Sequence, residues 1–307
     1  MRLCHPVEMT RRSPAETQSR PSVAYLGPEG TFSEEALLSS ARTDAVTPLA
    51  QETIYDAASA LARGHAQFAI VPIENSIEGS ITITLDTLVA DHANTRIVAE
   101  VLLPVRHCLI ARERVALEQI QSVLSHPHVP GQCTRFLRSQ LAHTRVSAAS
   151  STAEAVRLVA QGEDPTVAAI GTGLAAEIYG CEILCEGIED RADNETRFVW
   201  LAPADCALAP PLRERGGAIL KTSLVFWGQG AGSPGWLVGC LQEFSDRAIN
   251  LTKIESRPHR ERSWRYMFFL DIETQGASED LQEAIGALEG HCEEVRVLGS
   301  YPAAKSS

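Results

Sequence analysis

The stretch VAYLGPEGTFSEEALLSSA, residues 23–41, decides how the chain is to be read. Val23 to Gly27 is a short apolar run of strand length, and Thr31 to Ala41 reads as a helix. Gly27 and Gly30 permit a tight turn between them. Thr31 or Ser33 can cap the helix, with Glu34 and Glu35 favourably placed in its first turn. A strand, a tight turn and a helix in succession are the unit from which α/β folds are built.

The same alternation continues to about Ala202. FAIVP (68–72), QSVLSH (121–126), TRVSAA (144–149), TVAAIG (166–171) and RFVWLA (197–202) read as strands. ITLDTLVADH (83–92), GQCTRFLRSQLA (131–142), STAEAVRLVAQG (151–162) and TGLAAEIYG (172–180) read as helices. Such alternation predicts an α/β fold with mainly parallel sheets. A Pro- and Gly-rich break, PADCALAPPLRERGGA, follows, and 204–217 reads as a linker. Beyond it come strand 219–227, helix 233–248, strands 249–256 and 264–273, helix 278–290 and strand 293–300. That order, βαββαβ, is ferredoxin-like.

Composition narrows the function. The chain has 307 residues, 44% hydrophobic and 21% charged, as in an ordinary globular protein of two domains or one large one. Its net charge is −12 and no basic run occurs, which argues against a nucleic-acid partner. No apolar run approaches the ~20 residues that span a bilayer. The first 21 residues carry no apolar signal core and read as a polar, disordered extension. Eight scattered cysteines without a C-x-x-C imply reduced thiols and a cytoplasmic setting.

Several stretches carry candidate chemistry, each with a plainer reading beside it. In VPIENSIEGS (71–80) an apolar strand ends in Glu74, Asn75 and Ser76, and Gly79-Ser80 is expected to open a helix. Strand carboxyl ends are where open α/β sheets place ligands, although a capped polar loop would look the same. Ser150, Ser151 and Thr152 precede another helix with Glu154 in its first turn. Three turns offering hydroxyls and free amides would suit a small polyanion if they converge. His126 and His128 are a weak metal pair, and Cys133 is a nucleophile candidate lacking an orienting group. Gly171-x-Gly173-x-x-Ala176 imitates a dinucleotide fingerprint but lacks the acidic residue that binds ribose. In DNETRF, Asn194, Thr196 and Arg197 stand at the mouth of a strand. Arg197 could hold a carboxylate, or could point away from Thr196 and Phe198 as a structural anchor, because strand neighbours face opposite sides.

GPEGTFSEEA, VPIENSIEGS, SHPHVPGQC and DRADNETRF, in this order, resemble the catalytic domain of prephenate dehydratase. GWLVGCLQEFSDRAINLTKIESRP followed by YMFFLDIE resembles that family's regulatory ACT domain. The resemblance implies a two-lobed catalytic domain over 22–203, like a type 2 periplasmic binding protein, and an ACT domain over 218–301. It implies decarboxylating dehydration of prephenate to phenylpyruvate, with phenylalanine as effector, no cofactor, no metal, and a homodimer or homotetramer. Arogenate dehydratase and a non-catalytic sensor of small acids share the pattern. On the resemblance, Thr196, Glu74, Asn75 and Ser76 are catalytic candidates. Thr31, Phe32, Ser33, Gly79, Ser80, Ser151, Thr152, Arg197 and Phe198 are substrate-binding candidates. Gly235, Trp236, Leu237, Glu255, Ser256, Arg257 and Pro258 form the effector motifs, with Trp236 where the family carries a small residue.

Overall fold

The computed structural model describes residues 20–90, 94–213, 219–259 and 265–304. All but the last two residues of the expected polar extension lie outside that set. The first lobe begins with β1 (Ser22–Leu26), α1 (Phe32–Ser40), β2 (Thr47–Gln51), α2 (Ile54–Ala62) and β3 (Phe68–Asn75). It continues with β4 (Gly79–Ser80), α3 (Thr82–Ala90) and β5 (Thr95–Pro104). The chain then crosses into a second lobe: β6 (Cys108–Ala111), β7 (Ser122–Ser125), α4 (Val129–Gln132), α5 (Thr134–Gln140) and β8 (Arg145–Ala148). That lobe closes with α6 (Thr152–Gln161), β9 (Val167–Gly171), α7 (Gly173–Tyr179) and β10 (Glu182–Glu186). A second crossing returns the chain as β11 (Glu195–Pro203), which lies between β3 and β5 in the order β2-β1-β3-β11-β5.

Both lobes have mixed sheets rather than mainly parallel ones. In the first, β1 runs parallel to β2 and β3, but β11 is antiparallel to β3 and β5. In the second, ordered β10-β6-β9-β7-β8, β6 is antiparallel to both neighbours. The cause is the excursion itself. A chain that leaves at the end of β5 and returns at the same end enters β11 in the opposite direction.

β11 alternates strictly. Phe198, Trp200 and Ala202 enter a core under α1, while Val199 and Leu201 enter the core on the other face. Trp200 is fully buried, and its indole N–H donates to Ser40 Oγ at 3.1 Å, so no polar atom is stranded. Phe198, grouped with the substrate-binding candidates, is therefore a core residue.

The third unit is β12 (Ile219–Trp227), α8 (Trp236–Ser245), β13 (Leu251–Pro258), β14 (Tyr266–Gln275), α9 (Glu279–Glu289) and β15 (Glu294–Pro302). Its antiparallel sheet is ordered β13-β14-β12-β15. One face carries Leu224, Phe226, Leu270 and Ile272 against α8 and α9. The other carries Val225, Met267, Phe269, Leu298 and Tyr301 into one cluster with Leu85, Leu88, Ile97, Val199 and Leu201 of the first lobe. Gly299 is needed at this seam, because a Cβ there would lie 2.2 Å from the Ile97 carbonyl oxygen.

Candidate active site

A bulge in β3 shapes the site. Thr196 pairs with Asn75 and Arg197 with Glu74, but Phe198 pairs with Pro72, which leaves Ile73 as an extra residue on β3. A bulge shifts every later side chain on its strand to the other face. Ile73 and Glu74 thus both face the third sheet, and Asn75 is turned to join Thr196.

Asn75 is buried and held at both ends of its amide. Its Oδ1 accepts from the Ile77 and Glu78 amides at 2.9 and 3.0 Å. That fixes the nitrogen on the opposite side, where it donates to Asn194 Oδ1 and Thr196 Oγ1, each at 2.9 Å. Ser76 locks the same loop: its hydroxyl accepts from Glu195 N at 3.0 Å, and its amide donates to Glu195 O at 2.9 Å. A hydroxyl that accepts from Asn75 has its own proton free to point elsewhere.

Residues of the second lobe complete the arrangement, and these were not singled out in the sequence. Gln132, at the end of α4, donates from Nε2 to Glu78 Oε1 at 2.7 Å. Its Oε1 lies 3.1 Å from His107 Nε2 and 3.4 Å from Asn194 Nδ2. His107 is buried, and its backbone N–H donates to Glu189 Oε2 at 2.9 Å. Burial pushes the imidazole pKa down, so the ring is neutral at neutral pH. Phe32 from α1 meets it edge-on at 5.5 Å between ring centres. A lone His before a four-residue apolar run gave the sequence no pattern by which to find it.

Of the other turns, that at Thr172 makes a contact between the lobes. Thr31 caps α1 and Ser151 caps α6. Ser33 and Thr152 are buried in the first turns of those helices. Thr172 caps α7 and donates its hydroxyl proton to Gly30 O at 2.7 Å. Gly30 has φ +85°, and a Cβ on it would lie 2.9 Å from Ala175 Cα. The fingerprint-like turn at Gly171 is thus closed by the first lobe and leaves no room for a pyrophosphate.

Two further sequence expectations need correction. Gly79-Ser80 does not open a helix. It is a two-residue strand pairing with Asn75 and Glu74, and α3 begins at Thr82. Glu74, Ser80 and Arg197 also stand apart from Asn75 and Thr196. Arg197 Nε lies 2.7 Å from Glu100, and its Nη1 lies 2.6 Å from Asp271 and 3.4 Å from Glu74. Its Nη2 donates to Tyr301 OH at 2.8 Å. Burial alone would depress the guanidinium pKa, but the Tyr301, Asp271 and Glu100 oxygens more than reverse that, so it stays charged. Lys253 Nζ lies 2.9 Å from Glu74 and 2.7 Å from Ser80 Oγ, which also meets Glu255. Arg197 is an anchor between sheets, its charge already taken.

Among the described residues no group of three His, Cys, Asp or Glu is set to hold a metal. His126 and His128 stack edge-on, with His128 near Glu78 at 3.6 Å. Burial, with Asp190 and Glu189 nearby, pushes the Cys133 thiol up to about 12, so it is no thiolate at neutral pH.

The molecule is thus two mixed α/β lobes joined by two crossings, with an amide-braced hydroxyl at the crossings, followed by a βαββαβ unit. The family model for prephenate dehydratase matches residues 23–206. A prephenate dehydratase of Mycolicibacterium vanbaalenii is 38% identical over 295 residues, covering 92% of this chain and 91% of that one. A crystal structure of prephenate dehydratase from Arthrobacter aurescens in complex with L-Phe is 33% identical with a TM-score of 0.81, covering 92% of this chain and 90% of that one. GqqA, described as a quorum quenching acylase, is 26% identical with a TM-score of 0.79, covering 92% of this chain and 98% of that one. The chain belongs to the prephenate dehydratase family.

Proposed function

We propose that this chain converts prephenate to phenylpyruvate, water and carbon dioxide. Its relatives carry that name over nearly their whole length, and the Asn75–Thr196 hydrogen bond supplies the chemistry. In the reaction the bond to the ring carboxylate breaks and its electron pair enters the ring. The ring hydroxyl then leaves, and aromaticity makes the step strongly downhill. The barrier is departure of a poor leaving group. With Asn75 donating to its oxygen, Thr196 passes its proton to that hydroxyl, which departs as water, and solvent then restores the proton to the Thr196 oxygen. Threonine is too weak an acid for bulk proton donation, so orientation in a water-poor site supplies most of the effect. A tight cation on the ring carboxylate would stabilise the ground state and slow its loss. The pairing of Arg197 and Lys253 with protein carboxylates is in keeping with that requirement.

Incubation with prephenate, followed by the ultraviolet absorbance of phenylpyruvate, tests the reading. The GqqA likeness is a reminder that a shared fold can serve another reaction. No turnover of prephenate would rule out the dehydratase reading, and parallel incubation with arogenate settles the choice of substrate.

The βαββαβ unit is read as an ACT domain taking phenylalanine as effector. Support comes from the ESRP stretch, Glu255 to Pro258, on β13, and from the L-Phe in the Arthrobacter complex. Gly235 precedes α8 with φ +84°, and Leu237 packs on the unit's core. Trp236 folds inward: its indole lies against Phe226 and Phe268 and donates to His291 O at 2.8 Å. A homodimer or homotetramer is expected, because β13 is an outer edge of its sheet with Ile254 half-exposed. A cytoplasmic setting is in keeping with biosynthetic relatives.

A further inference from the structure

One buried polar atom at the meeting of the lobes has no partner among the described residues: Nδ1 of His107, which is 1% exposed. Such an atom calls for an explanation. The other ring nitrogen supplies one. Gln132 Nε2 faces the Glu78 carboxylate at 2.7 Å, and a carboxylate only accepts. Gln132 therefore presents its oxygen to His107, and the imidazole proton must sit on Nε2. The same Gln132 oxygen faces Asn194 Nδ2, whose Oδ1 accepts from Asn75, which in turn donates to Thr196. An unbroken series of directed hydrogen bonds thus runs from His107 to the Thr196 hydroxyl.

The charged groups around the ring are known from each side. Glu189 accepts the His107 backbone N–H and pairs with Arg106 at 2.8 Å. Glu78 stands beyond Gln132, with His128 near it. From α1 comes Phe32, edge-on to the imidazole, while the charge of Glu35 is felt at Cys108, the next residue along the chain. None supplies a hydrogen-bond acceptor for Nδ1.

We propose that His107 is a positioning residue: its neutral ring donates from Nε2 to the Gln132 oxygen and holds in place the amides that lead through Asn194 and Asn75 to the Thr196 hydroxyl. This rests on the dehydratase reading. The bare Nδ1 is the corollary, since a second proton there would have no acceptor and would turn the ring out of register.

The test has two arms on the full-length protein. Nitrogen NMR of the imidazole at neutral pH should find the neutral Nε2–H form; an Nδ1–H or doubly protonated ring overturns the proposal. In kinetics, His107→Leu should lower kcat by about tenfold or more with little change in KM. His107→Gln, which keeps an N–H near the place of Nε2, should recover most of that loss. The wild type should show an acid limb in its kcat profile, and that limb should vanish in His107→Gln. Wild-type turnover in His107→Leu, or an unmoved acid limb in His107→Gln, overturns the proposal. If His107→Leu does not fold, the glutamine variant and the NMR arm still decide. If the wild type does not turn over prephenate, the functional reading fails while the NMR arm still judges the ring.

Discussion

Thr196 and Arg197 are neighbours on β11 that face opposite ways. Asn75 donates to Thr196 Oγ1 at 2.9 Å, while Arg197 Nη1 meets Asp271 Oδ2 at 2.6 Å on the third sheet. One strand therefore holds the Thr196 hydroxyl on one face and the tie to the βαββαβ unit on the other. Any force that shifts Asp271 is felt one residue from Thr196.

Replacing Asp271 by Ala should expose this coupling. It leaves a buried guanidinium short of a carboxylate, at a cost of about 3–5 kcal/mol for breaking a buried pair. The remaining contacts to Glu100 and Glu74 place the expected loss at the lower end of that range. Denaturant unfolding measures the stability, and turnover of prephenate should fall in the same variant.

Thr196→Val keeps the shape and removes the hydroxyl. We expect kcat to drop by about 10²- to 10⁴-fold, the usual worth of a positioned proton donor, with KM nearly unchanged. Steady-state kinetics would show the split, and a variant that lost binding but kept turnover would contradict the role given to Thr196.

Trp236→Ala should change phenylalanine affinity, because the indole covers ground at the start of α8 against Phe226 and Phe268. Calorimetric titration of both proteins decides it. Equal affinities would remove Trp236 from the account.

Gly299→Ala should pry β15 from β5, since the added Cβ would sit 2.2 Å from Ile97 O. Overpacking of this kind costs about 1–3 kcal/mol. A lowered Tm with the βαββαβ core intact by circular dichroism is the expected signature.

The pH dependence of Glu189 runs in a definite direction. Burial alone would raise its pKa, but the His107 backbone N–H and Arg106 outweigh burial and hold the carboxyl below its ordinary value. The native state thus favours the charged form. The resulting stabilisation is complete above the ordinary carboxylate range and is lost as pH falls through the depressed value. Glu189→Gln should remove that acid sensitivity from the unfolding curve.

Much of the fold was legible because β1, β3, β7, β9 and β11 are apolar runs with turns on either side. The strands missed had other signatures. β2 is an edge strand carrying Pro48, with little of it buried. β5 contains Glu100, whose side chain is buried only because Arg197 and Lys221 meet it from other strands. β10 is an edge strand with exposed Glu182 and Glu186 at its ends, and β6 follows β5 with no helix between to mark it off. In the site, Asn75 and Thr196 could be named from their motifs. Separating Glu74 from Asn75 required the bulge at Ile73, a matter of pairing register that no single strand contains. His107 and Gln132 depend on where two crossings meet, which is wholly non-local.

The cluster shared by the first lobe and the third sheet has one more consequence. Val225, Met267, Phe269, Leu298 and Tyr301 have their hydrophobic neighbours in the first lobe, whereas the second lobe keeps two clusters of its own. Cutting the chain between 204 and 217 should yield two halves with exposed apolar faces rather than a self-sufficient βαββαβ unit. Heat should melt them together as one cooperative block. Any movement between the lobes should therefore swing the second lobe, with the third sheet riding on the first.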